Sequence, residues 1–95
     1  MSESSKSAAA EAQELERSYK LAEIVRQRQR TLEVLSLKSG ERVLDVGCGV
    51  GFLTHGMALK VGEAGHIIGI DKNPEMISHA QKRCESLRQT EFHVG

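Results

Sequence analysis

The apolar positions in the first part of the chain follow a helical period. Between residues 9 and 36 they recur at spacings of three and four, the interval of one helical face, at Leu21, Ile24, Val25, Leu32 and Leu35. We therefore predict an N-terminal amphipathic helix over residues 9–36 that packs on the domain through these aliphatic side chains. Residues 1–8 are small and polar without a period, and we predict a disordered tail there.

After Gly40 the pattern changes to short apolar runs that alternate with helical segments. The runs "RVLDVG", "IIGID" and "EFHV" have the length of strands, and "FLTHGMALKV" has a helical period between the first two. Asn73 and Pro74 stand where a helix N-cap and a first helical residue are expected, so a second helix precedes the third strand. The order β-α-β-α-β predicts an α/β fold, a parallel sheet covered by helices on both faces as in the opening half of a Rossmann-like domain.

The composition limits the classes of function. Ninety-five residues form one small domain, and 39% apolar and 27% charged residues without a long apolar run indicate a globular chain with no membrane span. Thirteen basic and thirteen acidic side chains cancel, which argues against nucleic acid as a partner. Two cysteines and the lack of a secretory signal favour a reducing cytoplasm. The four histidines lack the spacing of metal ligands, so we predict no metal site.

Three glycines fall within five positions where the first strand runs into a helix. Such a turn brings backbone N–H groups to the positive end of a helix dipole, which suits a polar or anionic ligand group. Gly47, Gly49 and Gly51 are spaced G-x-G-x-G, and Phe52 occupies the position of the third glycine in the dinucleotide pattern G-x-G-x-x-G. The loop therefore predicts a ligand site but argues against a pyrophosphate. Cys48 lies in the same loop without a base to activate it, which favours a tolerated small side chain over a nucleophile.

Two aspartates stand at the ends of the predicted strands beside this loop. Asp71 ends the second strand, where its carboxylate can accept hydrogen bonds from both hydroxyls of a ribose. Asp45 lies near the end of the first strand and suits a cationic group on the ligand. The alternative for Asp71 is a charge at a helix N-terminus, and the alternative for Asp45 is a strand-end residue that satisfies loop backbone.

Together, "VLDVGCGVG" and "GIDKNPEMI" resemble motif I and the acidic strand-end motif of the class I S-adenosylmethionine (SAM)-dependent methyltransferases. The resemblance covers residues 38–95 and is nearest in wording to ubiquinone/menaquinone-type and related small-molecule methyltransferases. It implies a partial SAM-binding domain in which Gly47, Gly49 and Gly51 let the methionine and ribose portions of SAM lie against the backbone. Cys48 belongs to the same cofactor loop.

The resemblance also implies roles for three charged residues. Asp45 contacts the methionine end of SAM, directly or through water, Asp71 holds the ribose hydroxyls, and Lys72 flanks the adenine with its backbone and aliphatic stem. We expect the N-terminal half of a methyltransferase, truncated after the third strand, with a small-molecule methyl acceptor and unknown catalytic residues. The alternative is a non-catalytic nucleoside-binding or interaction module. The open edge of the third strand predicts self-association.

Overall fold

The computed structural model describes the backbone of residues 2–95 and the side chains of residues 8–95. Its elements follow the predicted order, with the bounds α1 Ser2–Leu35, β1 Arg42–Val46, α2 Phe52–Val61, β2 His66–Asp71, α3 Pro74–Arg83 and β3 Thr90–Val94. The chain divides between Thr31 and Leu32 into two compact units, the second of which contains the sheet with α2 and α3. The predicted α/β, Rossmann-like class is confirmed.

Helix α1 begins earlier than the apolar period predicted. It starts at Ser2, so the described backbone of the expected tail over residues 1–8 is helical. Met1 and the side chains of residues 2–7 lie outside the described residues. The earlier start has a local reason, because the alanines of "SAAAEA" are strong helix formers that create no apolar period.

The predicted apolar stripe of α1 does not form a continuous buried face. Leu21 and Ile24 in the first unit are 62% and 57% exposed. Leu32, which belongs to the second unit, packs against the core of that unit. The packing of the remaining positions of the stripe on the domain stays a prediction, because a helical period identifies a face without specifying what covers it.

The three strands form a parallel sheet in the order β1-β2-β3. Both steps between neighbouring strands run in the same direction, so right-handed crossovers place α2 and α3 over the same face. The two helices contact each other there, with Gly51 at the start of α2 against Ala80 of α3. On the opposite face Leu44 and Val46 are 57% and 75% exposed. The prediction that helices cover both faces was therefore wrong for the described residues.

The core lies between α2 and the sheet and is aliphatic. Met57, Ala58 and Val61 of α2 are buried against Ile67 of β2, which is fully buried. The Gln89 side chain, just before β3, donates a hydrogen bond of 3.0 Å to the carbonyl oxygen of Ala58. This bond satisfies a buried amide and joins the start of the third strand to α2.

The turn between β2 and α3 confirms the predicted cap. The Asn73 side chain accepts a hydrogen bond of 2.9 Å from the backbone N–H of Glu75, and Pro74 begins the helix. A proline at this position loses no intrahelical bond, and its fixed φ suits the helix. The start of α3 is therefore set by local sequence, directly after the end of β2 at Asp71.

Gly69 in the middle of β2 makes room for two neighbouring side chains. A Cβ at this position would lie 2.7 Å from Phe92 Cδ1 and 3.1 Å from Cys48 Sγ. The first distance is shorter than any ordinary carbon contact, so an added methyl group must displace the phenyl ring. Because Gly69 has no side chain, Phe92 of β3 and Cys48 of the glycine loop both pack close to the backbone of β2.

We expect Gly69→Ala to lower the free energy of unfolding by about 1–3 kcal/mol, the usual cost of overpacking a fitted core. Urea denaturation followed by circular dichroism measures the change. Gly95→Ala is the matched control, because its Cβ would meet Ile70 at an ordinary contact distance of 3.5 Å. Equal unfolding midpoints for the two variants would contradict the role of Gly69.

Candidate functional site

The loop from Gly47 to Gly51 leaves β1 and enters α2 through left-handed backbone. Gly47, Gly49 and Gly51 have φ values of 73°, 56° and 86°, a region that L side chains rarely adopt. A Cβ at Gly47 or Gly49 would meet no atom within 4 Å, so both face open space. A Cβ at Gly51 would lie 3.0 Å from the Cα and Cβ atoms of Ala80. Glycine at position 51 therefore suits both the left-handed backbone and the close packing on α3.

The backbone amides of this loop bond within the protein. Gly47 and Cys48 both donate to the carbonyl oxygen of Ile70, at 2.7 and 3.0 Å. Gly49 donates to Asp71 Oδ2 at 3.0 Å. These three amides are therefore used within the fold, and the predicted site for a polar or anionic ligand group stays a prediction. Because a phosphate cradle depends on such donors, their use inside the fold adds to the sequence argument against a pyrophosphate.

Asp71 joins the two loops at the ends of β1 and β2. Its Oδ2 atom accepts from Gly49, and its Oδ1 atom accepts from the backbone N–H of Asn73 at 2.9 Å. These bonds, first that from Asn73 and then that from Gly49, hold the pKa of the Asp71 carboxyl below its usual value of 3.8. Each carboxylate oxygen has a further lone pair, so the predicted ribose contact remains open to it.

Asp45 is held from α2 by a residue that was not predicted. The Thr54 hydroxyl donates a hydrogen bond of 2.6 Å to Asp45 Oδ2, and Thr54 is fully buried. The alternative role of Asp45 as a strand-end structural residue is therefore supported by a direct contact. The role of Asp45 at the methionine end of SAM stays a prediction. The sequence does carry a signal for Thr54, which shares the buried spacing of Ala58 and Val61. A polar side chain in such a row needs a partner.

The environment of Cys48 favours a neutral thiol. Partial burial raises the pKa of its thiol above the usual 9.0, and the nearby carboxylates of Asp45 and Asp71 raise it further. Its Sγ atom lies 3.7 Å from the carbonyl oxygen of Gly49. Because the thiolate is the nucleophilic form, these effects favour the small-side-chain interpretation over a nucleophile.

Two histidines of the sheet, His66 and His93, both contact the carboxylate of Glu91. His66 Nε2 lies 3.3 Å from Glu91 Oε1, and His93 Nε2 contacts Glu91 Oε2. Hydrogen bonds from His93 and then His66 lower the pKa of the Glu91 carboxyl. Within the part of the chain whose side chains are described, no three His, Cys, Asp or Glu residues form a group that could hold a metal ion.

A cleft of about 260 Å³ opens at the carboxyl ends of the strands. It contains three of the predicted site residues, Gly47, Asp71 and Lys72. Val46, Ile70 and Gly95 complete the lining and were not predicted. Val46 and Ile70 are register partners in the sheet, so their adjacency depends on a strand pairing that local sequence does not specify. They add an apolar wall to a site otherwise defined by a carboxylate and bare backbone.

A known family accounts for this combination of fold and loop. The family model described as "Methyltransferase domain" matches residues 37–95. The chain belongs to this methyltransferase family. The match starts one residue before the boundary predicted at residue 38, and it confirms the resemblance to class I SAM-dependent methyltransferases.

Individual relatives differ in the acceptors that they are named for. Over 55 residues the chain is 47% identical to protein-L-isoaspartate O-methyltransferase of Fervidobacterium nodosum, covering 58% of this chain and 28% of that protein. Over 68 residues it is 38% identical to demethylmenaquinone methyltransferase of Bacillus licheniformis, covering 72% and 29%. The chain therefore spans less than a third of the length of either relative.

The fold is also similar to solved methyltransferase structures. A crystal structure of a SAM-dependent methyltransferase from Aquifex aeolicus matches with a TM-score of 0.65 and 33% identity, covering 72% of this chain and 37% of that chain. In the described part of the chain, no helix is both long and apolar enough to cross a membrane.

The bonds of Asp71 predict a pH dependence of stability. Because folding lowers the pKa of this carboxyl, its ionised form stabilises the fold fully above the unfolded value near 3.8 and less as pH falls through the lowered pKa. We expect the urea midpoint of the wild-type chain to decrease more steeply below pH 3.8 than that of Asp71→Asn. Parallel pH profiles for the two proteins would show that the carboxylate bonds do not couple to folding.

Proposed function

We propose that the chain is the SAM-binding part of a methyltransferase that transfers a methyl group to a small-molecule acceptor. The observation that carries this proposal is the Asp71 carboxylate, bonded to Gly49 beside the cleft and next to backbone that faces open space. A nucleoside needs these two features together, an acceptor for its hydroxyls and a surface without side chains against which it can lie.

The ribose is the portion of SAM to which Asp71 is best suited. Its two oxygens already accept from Gly49 and Asn73, which fixes the carboxylate plane before a ligand arrives. The remaining lone pairs accept the two ribose hydroxyls as a pair of charge-assisted hydrogen bonds. Gly47 and Gly49 leave room for the sugar, because neither position has an atom within 4 Å of its missing Cβ.

The adenine lies in the apolar part of the cleft in this proposal. Val46 and Ile70 form one wall, and the aliphatic stem of Lys72 flanks the ring. Asp45 serves the methionine end, with one oxygen held by Thr54 and the other available to the amino group or to a bridging water. Cys48 and Gly51 shape the loop between these portions of the cofactor.

The reaction is a displacement at carbon. Bound SAM would supply a sulfonium methyl group, which would pass to a nucleophilic atom of the acceptor with the neutral thioether S-adenosylhomocysteine as the leaving group. The barrier is lowered mainly by holding the nucleophile in line at a short distance. The relative that acts on demethylmenaquinone supports a small-molecule acceptor. Both cysteines are free thiols, which supports a cytoplasmic location.

A second function is a non-catalytic module that binds a nucleoside. Asp71 and Lys72 are the ionisable side chains that line the cleft within the described residues. Both are assigned to binding the cofactor, so neither is left to act on an acceptor, which favours the non-catalytic module. Transfer of a radiolabelled methyl group from SAM to the reduced, quinol form of demethylmenaquinone or to another quinol acceptor separates the two functions. Labelled product supports the enzyme, whereas SAM binding without any product supports the module.

We expect the chain to bind S-adenosylhomocysteine with one-to-one stoichiometry, and Asp71→Ala to weaken binding by about tenfold or more through loss of two hydrogen bonds to a charged group. Isothermal titration calorimetry measures both affinities, and circular dichroism checks that the variant is folded. Glu63→Ala, which removes an exposed carboxylate in the turn between α2 and β2, is the matched control. Equal affinity of Asp71→Ala and wild type would contradict the ribose assignment, and binding of NADH instead would contradict the cofactor.

A further inference from the structure

We propose that Arg83 is a positioning residue for the glycine loop, and through the loop for the cofactor, an inference that rests on the proposed function. Arg83 lies in the last turn of α3, and its Nε–H donates a hydrogen bond of 3.0 Å to the carbonyl oxygen of Val50. Its guanidinium also lies over the ring of Phe52, with Cζ 3.6 Å from the ring centroid. One side chain thus contacts the loop on both sides of Gly51.

These contacts hold the half of the loop that the strand ends do not reach. Gly47 and Cys48 are fixed by the carbonyl of Ile70, and Gly49 is fixed by Asp71. The second half of the loop runs from Val50 into α2, and Arg83 makes its two contacts there. Movement of that half would shift the Gly49 backbone, which is the surface proposed to lie beneath the sugar.

The start of α2 lacks the usual local means of fixation. Its N-cap is Gly51 in the left-handed region, and no side chain caps the first turn. The first turn of α2 also contains no acidic residue. Helix starts are commonly stabilised by a Ser, Thr, Asp or Asn cap, so another element must define the direction in which this helix leaves the loop. Arg83 provides that definition from α3, together with the packing of Gly51 on Ala80.

The geometry requires a guanidinium rather than any positive charge. Its planar group stacks on an aromatic face while an N–H in the same plane donates to a carbonyl, and a lysine ammonium cannot make both contacts at once. The charge alone offers no explanation, since a cation near the N-terminus of α2 opposes the helix dipole there. Arg83 lies at the C-terminal end of α3, where its positive charge interacts favourably with the dipole of α3. One residue can therefore join the two helices.

The test compares loop mobility and cofactor affinity in three variants. Arg83→Met removes both contacts, Phe52→Leu removes the stacking alone, and Lys82→Met is the control from the same helical turn. Amide hydrogen exchange of the ligand-free chain at Gly51 is expected to be about tenfold faster in Arg83→Met than in Lys82→Met. Calorimetry with S-adenosylhomocysteine is expected to show about fivefold weaker binding, with thermal midpoints of the variants close together.

Non-additivity separates positioning from a general loss of structure. Because Phe52 acts on the loop through Arg83, the double variant Arg83→Met/Phe52→Leu is expected to bind as weakly as Arg83→Met alone. Unchanged exchange and unchanged affinity in Arg83→Met would overturn the role. If the wild-type chain itself does not bind S-adenosylhomocysteine, the proposed function fails, and faster exchange at Gly51 in Arg83→Met still decides whether Arg83 positions the loop.

Discussion

The candidate site depends on one carboxylate that two backbone amides hold in place. Asp71 accepts from Gly49 in the loop after β1 and from Asn73 in the turn after β2, so it fixes two strand ends relative to each other. These same bonds lower the pKa of Asp71 and keep the side chain ionised. A buried ion pair is not needed, because backbone N–H groups supply the stabilisation. The site is thus a product of parallel strand pairing, which brings the carboxyl ends of β1 and β2 together.

The direction of the strand connections accounts for the distribution of packing. Two right-handed crossovers in the same direction place α2 and α3 on one face, where the aliphatic core forms around Ile67. The opposite face leaves Leu44 and Val46 exposed within the described residues. Packing of the helices against each other then requires glycine at position 51, so the loop is shaped from the covered side and faces open space on the other.

Sequence reasoning predicted the features that depend on short spacings. The strand-length runs, the glycine cluster and the Asn73 cap were all confirmed, because each is encoded within a few neighbouring residues. The contacts of Thr54 with Asp45 and of Arg83 with Val50 were missed, since they join residues nine and 33 positions apart. Such pairs depend on how α2 and α3 settle on the sheet. The covered face was mispredicted for a related reason, because a doubly wound pattern requires a reversal of strand order that these three strands do not contain.

The most direct measurement of the central claim is a nuclear magnetic resonance titration of the isotope-labelled chain with S-adenosylhomocysteine, read at individual backbone amides. We expect saturable shifts that centre on Gly47, Gly49 and Asn73, because the first two border the open space and the last two bond to Asp71. The amide of Glu63, in the turn that precedes β2 at the amino ends of the strands, is predicted to remain unchanged. Shifts confined to the amino ends of the strands, or no shifts at saturating concentration, would contradict a nucleoside site organised by Asp71.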